Sequence, residues 1–120
     1  MKGERLLIVE DKGTVSYLLT QRAQEENHLV VGKAARVAQV RAFLESGLDI
    51  TVAIIDQNLP DGSGDEVARL IREKYPEVWI VSFGHKEQKW GDINLSKEGG
   101  WTASQVIEKI NALESGGKGE

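Results

Sequence analysis

Three short apolar runs without a polar interruption leave this chain few folds to choose from: Leu6 to Val9, Val52 to Ile55 and Val78 to Val81. Taken together they are mostly β-branched, and each is too short for a helix. That is the pattern of strands buried on both faces of a parallel sheet, where a half-exposed strand would alternate apolar and polar residues. Leu29-Val30-Val31 and Ile93-Asn94-Leu95 are weaker versions. Between them the apolar residues recur at helical spacing: Val15, Leu18, Leu19 and Ala23; Val37, Val40 and Leu44; Val67, Leu70, Ile71 and Tyr75; Val106, Ile107, Ile110 and Leu113. Strand and helix alternate, which predicts βαβ units and an α/β fold with a parallel sheet.

The punctuation agrees. Gly47 stops the second helix, Pro76 lies just beyond the third, and Thr102 or Ser104 caps the last. The third helix opens at Asp65-Glu66, where acidic residues favour the positive end of the helix dipole. Residues 1–114 are expected to form one domain, and the tail Ser115-Gly116-Gly117-Lys118-Gly119-Glu120, with nothing to bury, to be disordered. From Phe83 to Ser96 no helical apolar face is visible, so that stretch reads as a loop or a single turn.

At 120 residues the chain fills about one domain. Its 15 Lys and Arg are scattered among 19 Asp and Glu, a net charge of −4, which argues against direct binding to nucleic acid or acidic membranes. Without cysteine there is neither a disulfide framework nor a thiolate metal site. The first apolar run is too short for a signal peptide or a membrane span, so a cytoplasmic protein is the default.

Two strands end in carboxylates. Asp56 follows Val52 to Ile55, and Glu10-Asp11 follows Leu6 to Val9. Ligands bind outside the carboxyl ends of such strands, and an oxygen-only carboxylate group suits Mg²⁺ and, with it, a phosphoryl group.

With these residues in order, the chain resembles the receiver domain of two-component response regulators over nearly its whole length, which implies an α/β, doubly wound five-stranded parallel sheet, flavodoxin-like and CheY-like. The matching stretches are Leu6-Leu7-Ile8-Val9-Glu10-Asp11, then Ile54-Ile55-Asp56-Gln57-Asn58-Leu59-Pro60-Asp61-Gly62-Ser63-Gly64, then Ile80-Val81-Ser82, then Lys97. The resemblance implies Asp56 as phosphoacceptor, Glu10 and Asp11 with Asp56 and the Asn58 backbone carbonyl as Mg²⁺ ligands, Ser82 as switch hydroxyl and Lys97 as the site's lysine. It also implies a histidine kinase or histidine phosphotransfer protein as partner, since nothing here binds ATP. The chemistry is at most self-phosphorylation from a phosphodonor and autodephosphorylation, not metabolic turnover.

Four positions depart from the family's pattern. Glu98 stands where proline usually follows the lysine, so the Lys97-Glu98 peptide is expected to be trans. Asn94 occupies the place of the usual aromatic three residues before the lysine, and Phe83 that of a small residue after the hydroxyl, where its bulk suggests a gate. Lys97 follows Ser82 by only 15 positions (97 − 82), about two helical turns fewer than usual, so the family's fourth helix is expected to be short or missing. These departures keep a second function open: a pseudo-receiver that binds partners without phosphorylation. A phosphatase reading is weaker, because Asn58 stands where such enzymes place an acid.

The remaining motifs have plain readings. Trp90 and Trp101 are expected to cover the core where the fourth helix would pack, with a partner-binding patch as the alternative. His28 and His85 lack a second ligand at metal spacing and are expected at the surface, and the run Lys86 to Lys89 reads as solvated charge. Gly62-Ser63-Gly64 lacks the third glycine of a dinucleotide loop.

Overall fold

The structure, a computed structural model, describes residues 3–113. Five parallel strands form the sheet: β1 (Arg5–Val9), β2 (Leu29–Ala34), β3 (Val52–Ile55), β6 (Trp79–Gly84) and β7 (Ile93–Ser96), in the order β2-β1-β3-β6-β7. The numbers β4 and β5 belong to a small antiparallel hairpin, Asn58–Leu59 with Gly62–Ser63. Four helices complete the fold: α1 (Gly13–Glu25), α2 (Val37–Glu45), α3 (Gly64–Lys74) and α4 (Ala103–Asn111).

Period-two alternation sorts the continuous runs between two cores. Leu7, Val9, Ala53, Ile55 and Ile80 face one way, against Val37, Val40 and Leu44 of α2 and Val67 and Ile71 of α3. Leu6, Ile8, Val52, Ile54, Val81 and Phe83 face the other, against Leu19 and Ala23 of α1 and Val106, Ile107 and Ile110 of α4. Every strand residue from Leu6 to Val9 and from Val52 to Ile55 is buried, as the unbroken runs require.

Gly47, at φ 77°, takes the left-handed conformation just past α2. Thr102 caps α4 in a reciprocal box with Gln105. The tail at 115–120 lies outside the described residues.

Between β6 and β7 no helix forms among the described residues. Asp92 closes the short connection by accepting the Ile80 N–H at 2.8 Å and donating its own N–H to the Ile80 carbonyl at 2.7 Å. Trp90 folds back onto the α2/α3 side, where its indole N–H donates to Gln57 Oε1 at 2.8 Å. There it covers the core at the start of α3, where a Cβ on Gly64 would come within 2.7 Å of its ring. Trp101 does not share that task, because it packs on the opposite face with the α1/α4 core.

His28 is likewise not a surface residue: it is 5% exposed. Its Nδ1 accepts the Glu4 N–H at 2.9 Å, leaving Nε2 to face Asn111 Oδ1 at 2.6 Å, so it ties the start of β1 to the end of α4. His85 is exposed and pairs with Glu98 at 2.8 Å.

Candidate functional site

Register decides which side chains meet at the sheet's carboxyl edge. Val9 of β1 pairs with Ile55 of β3, so the residues that follow, Glu10 and Asp56, leave adjacent strands side by side. The backbone keeps them there: Asp56 N–H donates to the Val9 carbonyl and Glu10 N–H to the Ala34 carbonyl, each at 2.9 Å. The chain runs outward from β1 to β2 and then returns across β1 to β3, so this is the switch point of the sheet, where a crevice opens.

Oxygens of Glu10, Asp11 and Asp56 all lie within 4.8 Å of one another. Glu10 and Asp56 are 5% and 4% exposed, while Asp11 is open to solvent. Gly84 contributes by what it lacks, since a Cβ there would come within 3.2 Å of Asp56 Oδ1.

Lys97 reaches this group from the end of β7, its ammonium 3.0 Å from Glu10 Oε1 and 5.4 Å from the centre of the Phe83 ring. Phe83 is 3% exposed and packed in the α1/α4 core, forming a wall on which the lysine rests. The Lys97-Glu98 peptide is trans, as no cis bond occurs among the described residues. Burial pushes the Glu10 carboxyl up to about 7; the Lys97 ammonium opposes the rise, the Asp56 charge adds to it and the Lys12 N–H opposes it. One lysine in contact therefore leaves buried negative charge uncompensated.

That donor set fits a hard divalent cation: three carboxylates on oxygen-only chemistry, drawn from two strands. Asn58, two residues beyond Asp56, begins the β4–β5 hairpin. Gly64 N–H donates to the Gln57 carbonyl at 2.8 Å, which makes Gln57 and Gly64 a bonded pair of the hairpin. Antiparallel pairs alternate, so at the next pair, Asn58 and Ser63, the Asn58 carbonyl turns off the ladder.

Ser82 is fully buried on β6, and its hydroxyl donates across the sheet to Asn94 Oδ1 at 2.8 Å. The same Asn94 amide accepts the Gly91 N–H at 2.9 Å and donates to the Gly91 carbonyl at 3.0 Å. Ser82 is thus engaged with β7 rather than with the carboxylates. Gly84 beside Asp56 and Asn94 beside Ser82 are neighbours of the predicted site residues that sequence reasoning did not single out as functional. Asn94 had a signal, standing two residues from a strand end opposite Ser82. Gly84 sat in a run with no visible pattern.

Residues 6–109 match the response regulator receiver domain family. The chain is 31% identical over 88 residues to the sensor protein TorS of Escherichia coli (strain K12), an alignment covering 69% of this chain and 9% of that much longer protein. Among solved structures, a CheY-like response regulator receiver domain protein from Methanospirillum hungatei JF-1 superposes with TM-score 0.79 at 20% identity, covering 92% of each chain. The isolated REC domain of RcsB from Salmonella enterica serovar Typhimurium, solved with phosphomimetic BeF3-, gives 0.78 at 20% identity, over 98% of this chain and 92% of the other. At such identities the likeness to these two establishes the fold.

Proposed function

Because the chain belongs to the response regulator receiver domain family, we propose that it accepts a phosphoryl group on Asp56 from a histidine kinase or histidine phosphotransfer protein in the cytoplasm, and that the modification switches its contacts with another protein. The observation that carries this reading is the convergence of Glu10, Asp11 and Asp56 from two adjacent strands with Lys97 closing on the same group.

Glu10, Asp11, Asp56 and the Asn58 carbonyl would hold Mg²⁺, which supplies neutralising charge for the phosphoryl oxygens. Asp56 attacks phosphorus as the carboxylate. A P–O bond forms while the P–N bond to the donor histidine breaks, and the bonding pair leaves with the imidazole. Phosphoryl transfer asks the protein for position and charge more than for covalent chemistry, and the register of β1 and β3 provides the position. Lys97 would exchange some of its hold on Glu10 for the acyl phosphate oxygens. Ser82 would then give up Asn94 for the phosphate, a charge-assisted bond worth about 1.5–3 kcal/mol against about 0.5–1.5 for a neutral one.

The test is intact mass after acetyl phosphate with Mg²⁺. One added phosphoryl group, absent in Asp56→Asn, is expected; an unchanged mass, or a gain that survives the substitution, refutes the proposal. The Ser82–Asn94 bond and the missing helix favour a second reading, a pseudo-receiver held in one conformation by packing. Beryllofluoride with Mg²⁺ separates the two, since a pseudo-receiver gives no change in tryptophan fluorescence.

A further inference from the structure

Helix α2 begins without a cap of its own. Its N-cap residue, Arg36, makes no side-chain cap bond, and no acidic residue lies in its first turn. The carboxylate that completes this helix end comes from 24 residues away: Asp61 Oδ1 accepts the Val37 N–H at 2.7 Å and Oδ2 the Ala38 N–H at 3.1 Å. These amides hold the Asp61 carboxyl below the usual carboxylate range, so it is ionised at neutral pH.

Asp61 stands at the tip of the β4–β5 hairpin. With two residues per strand, that hairpin is too small to hold its shape alone. It is braced at three points. Leu59 is buried in the α2/α3 core, Gly62 lies so near α2 that a Cβ would come within 2.7 Å of Val37 Cγ2, and Asp61 grips the two amides. At the other end of the same strand pair, two residues after Asp56, is Asn58.

We propose that Asp61 is a positioning residue for the acidic site: by capping α2 from the hairpin tip it fixes the orientation of the Asn58 main-chain carbonyl toward a bound divalent cation. The proposal rests on the reading of Glu10, Asp11, Asp56 and Asn58 as a Mg²⁺ site. A helix cap alone has no reason to alter metal affinity, whereas an outer brace on a metal ligand does, typically by about tenfold or more.

The experiment is a Mg²⁺ titration of the wild type, Asp61→Ala and Asp61→Asn, followed by tryptophan fluorescence and by amide NMR shifts, with thermal melts alongside. The expected result is a Mg²⁺ dissociation constant about tenfold higher in Asp61→Ala. Asp61→Asn, which keeps one acceptor oxygen, should fall between. Adding Mg²⁺ should shift the Val37 and Ala38 amides in the wild type and leave them still in Asp61→Ala. A lowered melting temperature with unchanged Mg²⁺ affinity overturns the proposal and leaves Asp61 a helix cap. A wild type that shows no response to Mg²⁺ refutes the metal-site reading itself, and this proposal with it.

Discussion

Replacing Glu10 by Gln should stabilise the metal-free protein above neutral pH, even though it removes an ion pair with Lys97. The Glu10 carboxyl stands at about 7 in the folded chain against 4.5 ordinarily, burial being the main cause. Between those values the folded state holds a proton that the unfolded state has released, so stability falls as pH rises. This group's contribution is complete below about 4.5 and lost as pH passes through about 7. The gap corresponds to about 3 kcal/mol. Gln keeps the shape and a hydrogen-bond acceptor for the Lys12 N–H without a charge to desolvate. In urea unfolding with a chelator, Glu10→Gln should therefore exceed the wild type by up to about 3 kcal/mol at pH 8 and match it near pH 4.5. Saturating Mg²⁺ at pH 8 should reverse the order, because the cation stabilises the wild-type fold by mass action. A variant less stable than the wild type at pH 8 without metal, or a difference independent of pH, would show that the Lys97 pair outweighs burial and refute the reasoning.

Two other substitutions probe separate links. Asn94→Ala removes the partner that holds the Ser82 hydroxyl on β7; beryllofluoride should then bind about two- to tenfold more tightly, the equivalent of one neutral hydrogen bond, and an unchanged affinity by tryptophan fluorescence would mean the bond does not oppose switching. His28→Ala strands the Glu4 N–H and unlinks Asn111 at the sheet's far end; about 2–3 kcal/mol of stability should be lost in chemical unfolding, with Mg²⁺ affinity intact.

What sequence could reveal followed from short-range pattern. The continuous runs at Leu6 to Val9 and Val52 to Ile55 specify strands buried on both faces, and a parallel sheet then carries the residues after both runs to one edge. That much of the carboxylate group was legible, as was the loss of a helix before β7, which is a matter of length. The errors arose where tertiary contact decides. His28 looks like any isolated histidine until Glu4 and Asn111, 24 and 83 positions away, enclose it. Trp90 and Trp101 flank one loop in sequence, yet the sheet divides them between opposite cores. Asp61 in a Pro-Asp-Gly turn has a sufficient local explanation, so its grip on α2 left no trace in the pattern. The Ser82–Asn94 bond depends on the register between β6 and β7, which the intervening loop sets.

On the proposed function, one side chain, Asp56, becomes an acyl phosphate. Borohydride reduces aspartyl phosphate to homoserine, so treatment with acetyl phosphate and Mg²⁺, then borohydride and peptide mass spectrometry, reads the modified position directly. Homoserine is expected at position 56 and at no other acidic residue, and none when Mg²⁺ is chelated. Reduction at Glu10, Asp11 or elsewhere, or an unmodified position 56 under conditions that add a phosphoryl group to the chain, would contradict it.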